Sequence, residues 1–280
     1  MIALFNFYYI LYILFALILV AGLYFLLRNK SKRTAKIVLF GILIGNLAVH
    51  FLKLLADYYQ AWMPYSIRTI SPENFCAVSV LFFPWFFLSK KAILKDYMFY
   101  MGMISGVGAV IFPVDVIGYT PFEFETMRFY FAHILIWVVP LLMVLLKLHT
   151  LDYRRILIAP LMLFFFQGVI LVNEVILAGM GLVRMEHFFS YEIRNASFIF
   201  GPHPTIDFLG SLFTALSPEI FRTMPIGENA GDVFYWPIVW LVIPVFIYFS
   251  LASLLLVLPF EYGNIKKGIS DLRRFFKPAP

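Results

Sequence analysis

From Ile2 to Leu27 the chain runs for 26 residues without a charged side chain. A helix that crosses the hydrocarbon core of a bilayer needs about 20 mostly apolar residues. Similar stretches follow, and the sequence predicts seven spans near 2–27, 37–58, 73–89, 97–116, 127–146, 155–181 and 233–258. Only 14% of the 280 residues are charged and 62% are hydrophobic, with a mean hydropathy of +0.88. Soluble domains carry about 25% charged residues, so the solvent for this chain is lipid. The expected fold is an all-α, seven-helix membrane bundle forming one integral domain over 1–280. The N-terminal run lacks the basic start and small-residue cleavage site of a signal peptide, so it is expected to stay as a helix. The stretch 182–232 is too long for a plain connection and is expected to form a partly helical cap, with FLGSLFTAL (208–216) at the membrane interface.

Charge placement sets an orientation. Sixteen of the 22 Lys and Arg fall in alternate loops, after the first, third, fifth and seventh spans. The opposite loops hold Arg68, Arg128, Arg184, Arg194 and Arg222. Positive loops remain in the cytoplasm, which places the N-terminus and the long loop outside and the C-terminus inside. Scattered in this way, the +6 net charge is explained by membrane topology and not by nucleic acid.

The segment GNLAVHFLKLLADYY (45–59) breaks the apolar pattern. On a helix its Asn46, His50, Lys53 and Asp57 share a stripe about 60° wide. A charge near the bilayer centre costs at least about 2.5–3.5 kcal/mol, so such groups face protein or water. The plainer reading is a neutralised Lys53–Asp57 pair one turn apart. Depth argues for more. With the spans alternating, Asn74 and Cys76, Asp115, Arg128 and His133, and Asn173 and Glu174 all fall in the outer half, contributed by the third to sixth spans. The inner half of every predicted span has no ionisable group. The expectation is a water-accessible pocket opening outward.

Cys76 and His133 are the most reactive pair at that depth. A histidine that takes the thiol proton produces a strong nucleophile, and the first helical turn offers amides to an oxyanion. The plainer alternative is a packed cysteine and a histidine bonded to a neighbouring helix. No HxxxH or HExxH spacing marks a metal site among His50, His133, His187 and His203, and no cofactor is expected. GMISGVG (102–108) is read as a close helix contact. Asn195–Ala196–Ser197 matches a glycosylation sequon, which matters only in a eukaryotic secretory pathway. A transporter or receptor for a small polar solute is the competing function. Transporter sites lie near the midplane with access to both faces, and the empty inner half argues against one.

The segments PENFC (72–76), GMISGVGAVIFPVD (102–115) and MRFYFAH (127–133) resemble the bacterial YwaF-like proteins and the transmembrane-protein-164 family. The separation of 57 residues between Cys76 and His133 fits the pattern of that family. RNASFIFGPHPTIDFLGSL (194–212) is similar to its Asn-Tyr and Leu-Asp-x-Leu-Gly stretches. The resemblance implies seven helices and, as in its eukaryotic branch, acyl transfer between phospholipids through the cysteine and histidine. Membrane lipids would then be the partners, and the bacterial branch implies a plasma-membrane location. His50, Lys53, Asp57, Asn74, Asp115, Arg128, Asn173 and Glu174 would support the pair or bind a head group. Two departures stand out: Asn74 occupies a position often His or Gln in relatives, and the stretch from Gly210 to Trp236 is longer than usual.

Overall fold

The computed structural model describes residues 1–184, 196–202 and 207–275. The first two helices, α1 (Phe7–Leu27) and α2 (Lys32–Leu52), are each started by a side-chain cap: Asn6 accepts from the Tyr9 amide and Ser31 from the Thr34 amide. These caps answer amides that a helix start leaves unpaired. A short α3 (Asp57–Gln60) and a turn-rich stretch lead to α4 (Phe75–Leu88), then α5 (Ala92–Met101). Here the chain widens into a π-helical turn, Gly102–Val107, before resuming as α6 (Gly108–Ile111). The remaining helices are α7 (Phe124–Leu145), α8 (Ile158–Gly179), α9 (Asp207–Leu216) and α10 (Val242–Phe275). Among the described residues there is no strand, only an isolated bridge between Thr223 and Val233.

Six segments are long and apolar enough to cross a membrane: Phe7–Leu27, Lys32–Leu55, Ala92–Val116, Phe124–Leu145, Ile158–Gly179 and Val239–Gly268. The expected third span is only the 14-residue α4, about 21 Å at 1.5 Å per residue. α7 is the central helix, with 72% of its hydrophobic window buried against 11% for α1. α1 therefore presents its apolar surface to lipid on nearly every side.

The core forms where the π-turn meets α7. A Cβ on Gly102 would lie 2.5 Å from the Ile136 carbonyl oxygen, and one on Gly106 would lie 2.9 Å from that of His133. No side chain fits at either position, so the glycines of GMISGVG do permit the close approach expected of them. A widened turn exposes backbone groups that would be costly against lipid, and here it is covered by α7.

One expectation fails at the far end of the bundle. The fourth span begins at Ala92 and not near 97, which takes Asp96 into the helix, 2% exposed. The Arg155 guanidinium donates to both of its carboxylate oxygens, and the His149 Nε2–H donates to Oδ1 at 2.7 Å. The half of the bundle expected to lack ionisable groups therefore holds a paired one. This network ties the turn after α7 to α5, and the carboxylate raises the Arg155 pKa above its usual value.

Two outcomes follow. Gly102→Ala should lower stability by about 2–3 kcal/mol through overpacking against immovable backbone, read as a lower melting temperature in detergent. Asp96→Asn should cost about 2 kcal/mol, less than a fully buried pair because Arg155 is partly exposed. The same melting assay checks it.

Candidate functional site

The polar stripe of α2 faces protein, and three of its four members do what the spacing predicts. Asn46, His50 and Lys53 are buried. Asn46 Nδ2 donates to the Ala132 carbonyl on α7, and His50 Nε2 donates to the Ile70 carbonyl at 3.2 Å. Lys53 Nζ donates to the Thr69 carbonyl at 2.7 Å. The hydrogen bonds of His50 and Lys53 hold the 65–71 stretch across the top of α2.

Asp57 is a correction. Regular α-helix ends at Leu52, a tight turn follows, and Ala56 is extended. The 3.6-residue period therefore no longer applies, and Asp57 is exposed with no ion pair to Lys53. It lines a cavity of about 800 Å³ together with Tyr58, Tyr119, Glu123 and Glu125.

Beside that cavity lies a charge cluster. Arg128 Nη2 pairs with Glu125 Oε2 at 2.8 Å, and the Tyr59 hydroxyl donates to the same oxygen at 3.0 Å. Lys53 Nζ and the Arg128 guanidinium both lie over the Tyr59 ring, 5.5 and 5.8 Å from its centroid. Burial raises the Tyr59 pKa above its usual value, and the Glu125 carboxylate adds to this against the opposing Arg128. The phenol thus stays protonated as a donor. The i, i+3 spacing of Glu125 and Arg128 makes this pair readable in the sequence only once the helix is known to start at Phe124, since the predicted span of 127–146 leaves Glu125 outside it.

Cys76 sits in the first turn of α4 and is half-buried. The amides around it are accounted for one by one. Phe75 N–H donates to Ser197 Oγ at 3.0 Å, and Ala77 N–H to Asn74 Oδ1 at 2.8 Å. Val78 N–H donates to the Asn74 carbonyl. The amide of Cys76 has no acceptor among the described residues. Asn74 thus supports the start of the helix that carries Cys76, through its Oδ1. Ser197 reaches the site from a sharply bent segment, with φ of 57° at Ser197 and 62° at Phe198. No sequence signal links it to a helix 122 positions earlier.

His133 is half-buried on α7. Its Nδ1–H donates to the Phe129 carbonyl one turn back at 2.7 Å. That bond fixes the tautomer and leaves the Nε2 lone pair free. No direct hydrogen bond joins imidazole and thiol. The Asp115 carboxylate, itself exposed, acts electrostatically on both Cys76 and His133, and Lys53 and Arg128 act on His133. Ser105 of the π-turn donates its hydroxyl proton to the Met101 carbonyl at 2.8 Å.

The α8 residues connect more loosely. Asn173 Nδ2 donates to Ser71 Oγ at 2.9 Å, and Glu174 is fully buried one position on. The 800 Å³ cavity is not the outward-opening pocket expected around the cysteine and histidine, since neither Cys76 nor His133 lines it. His187, His203 and Asn195 lie outside the described residues, and no group of three His, Cys, Asp or Glu among the described residues is arranged to hold a metal ion.

Comparison with curated proteins and with solved structures returned no match. The family model that does match covers residues 3–195, including both Cys76 and His133. This multi-pass membrane chain therefore belongs to the TMEM164 family.

Proposed function

We propose that the protein is an intramembrane lipid-acyl enzyme in which Cys76 is the nucleophile and His133 the general base. The reading is supported by a half-buried thiol at a helix start, its own amide without an acceptor among the described residues, and by an imidazole whose Nδ1 is engaged, which leaves Nε2 to act as the base. Nε2 removes the thiol proton as sulfur attacks the ester carbonyl of a phospholipid. The acyl C–O bond breaks, and His133 returns the proton to the departing lysolipid oxygen. A second alcohol, or water, then attacks the thioester, its proton passing through Nε2 to the released thiolate. The Cys76 amide is placed to donate to the oxyanion in both steps.

The same reading takes α4 as a short seventh span and places the Cys76 end of the bundle outside, because 16 of the 22 basic residues cluster at the opposite end. Phospholipid supplies the acyl group, an alcohol or water receives it, and the chemistry calls on no metal or cofactor.

A transporter for a small polar solute is the second reading. The cavity lined by Asp57, Glu123 and Glu125 favours it, as does the buried Asp96 at the other end of the bundle.

Incubated with phospholipid radiolabelled in its acyl chain, the purified protein should acquire a hydroxylamine-sensitive label that is absent in Cys76→Ser. His133→Ala should slow its formation by at least about 100-fold, the usual worth of a general base. Wild-type protein that takes up no label and moves no acyl chain would sink the enzyme reading. Solute uptake into proteoliposomes that is lost in Asp57→Asn and kept in Cys76→Ala would support the transporter instead.

A further inference from the structure

α8 and α10 touch at Phe164 and Phe246, whose ring centroids are 5.6 Å apart. Toward the basic end of the bundle a groove of about 480 Å³ opens beside them. Phe164 to Leu157 and Phe246 to Leu254 each span about 10–12 Å of helix, so the groove lies roughly two turns below the ring contact. Its volume is within the range of about 300–1,000 Å³ usual for ligand sites. Leu157 lines it from the start of α8, and Leu251 and Leu254 line it from α10, with the small Ser250 beside them. Tyr153 and Arg154 complete the lining. An apolar cleft on the lipid-facing surface thus includes one fixed cation.

The two arginines of that turn differ in what balances them. Arg155 pairs with Asp96 and reaches Asp152 Oδ2 at 3.3 Å. The other oxygen of Asp152 accepts the backbone N–H of Arg154 at 3.0 Å. Among the described residues no carboxylate lies within ion-pair distance of the Arg154 guanidinium. That side chain is exposed, 5.8 Å from the centroid of the Tyr153 ring. The Tyr153 hydroxyl meets α10, where a Cβ on Gly268 would lie 2.5 Å from it. Lys266 and Lys267 precede that glycine and are exposed, while Glu261 is buried and accepts from Asn264 at 2.9 Å. Positive charge here is therefore in excess.

We propose that the groove binds an anionic phospholipid, with one acyl chain between Leu157 and Leu254 and the head-group phosphate on Arg154. A guanidinium can give a phosphate two parallel hydrogen bonds. A soluble anion would leave the leucine walls uncovered, and a zwitterionic lipid would bring a second positive charge to a basic surface. Ser250 Oγ has no hydrogen-bond partner among the described residues, which leaves its proton for an ester oxygen. The site is at the opposite end of the bundle from Cys76 and does not depend on the reaction proposed there.

The full-length protein in detergent is mixed with phosphatidylglycerol or phosphatidylcholine of identical chains, and retained lipid is read by native mass spectrometry. Wild type should retain phosphatidylglycerol about tenfold better, the worth of one hydrogen bond to a charged group. Arg154→Gln should bring that ratio close to one, and Leu254→Trp, which fills the groove, should remove the bound phosphatidylglycerol. Lys30→Gln, an exposed basic residue in the turn after α1, should keep the wild-type ratio. Phosphatidylglycerol should also raise the melting temperature of wild type and not that of Arg154→Gln. Should Leu254→Trp fail to fold, Leu251→Trp replaces it. A preference that survives Arg154→Gln overturns the proposal. So does equal loss in Lys30→Gln, the mark of lipid held by overall charge alone. Glycerol phosphate that binds as tightly as the lipid, in wild type and in Leu254→Trp alike, would show a site for a soluble anion and overturn it too.

Discussion

In hydrocarbon a polar atom has no water to turn to, and the structure is organised by that scarcity of partners. Lys53 is the sharpest instance. It is a buried ammonium on a spanning segment, held by one carbonyl and an aromatic face, with Arg128, Glu73 and Glu125 acting on it from nearby. Its hydrogen bond and that of His50 draw the 65–71 stretch down over the end of α2. Ser71 at the end of this stretch accepts from Asn173, and Asn74 three residues later caps the helix that bears Cys76. Pairing a charge within the membrane and placing the thiol are therefore consecutive steps along one short piece of chain.

The second organising contact is steric. Gly102 and Gly106 let the widened turn lie against the backbone of α7, the most buried helix. Once that contact is made, the heights of His133, Trp137 and Ser105 relative to one another are set by backbone and not by adaptable side chains. Such rigidity would suit the proposed catalysis, since errors of an ångström are costly to chemistry. The Asp96–His149–Arg155 network anchors the opposite end of the same helix system.

Helical periodicity made Asn46, His50 and Lys53 legible because α2 remains regular as far as Leu52. It misplaced Asp57 because nothing local announces the extended Ala56. Asp96 falls outside the predicted 97–116 span for another reason: a charge beside an apolar run reads as its boundary, and the partners that neutralise it, His149 and Arg155, are distant in sequence. Asn74 was seen as a polar group at the right depth, yet the β-region backbone of a cap and its bond to the Ala77 amide were not anticipated. Ser197 was beyond reach, because its approach to Phe75 depends on a bent segment folding back across the bundle. The approximate positions of the helices and their apolar character can be read from local pattern, whereas the surroundings of Cys76 and His133 depend on tertiary contacts.

The brevity of α4 has a consequence of its own. At about 21 Å it falls some 9 Å short of a typical hydrocarbon core, so lipid beside it must thin or the start of the helix must sit sunken. On the proposed reading, where lipid thins to match, the sulfur one residue into that helix would come level with the glycerol esters of the adjacent leaflet. A phospholipid drifting sideways would meet the thiol without being lifted from its monolayer, and the bilayer itself would serve as the delivery route.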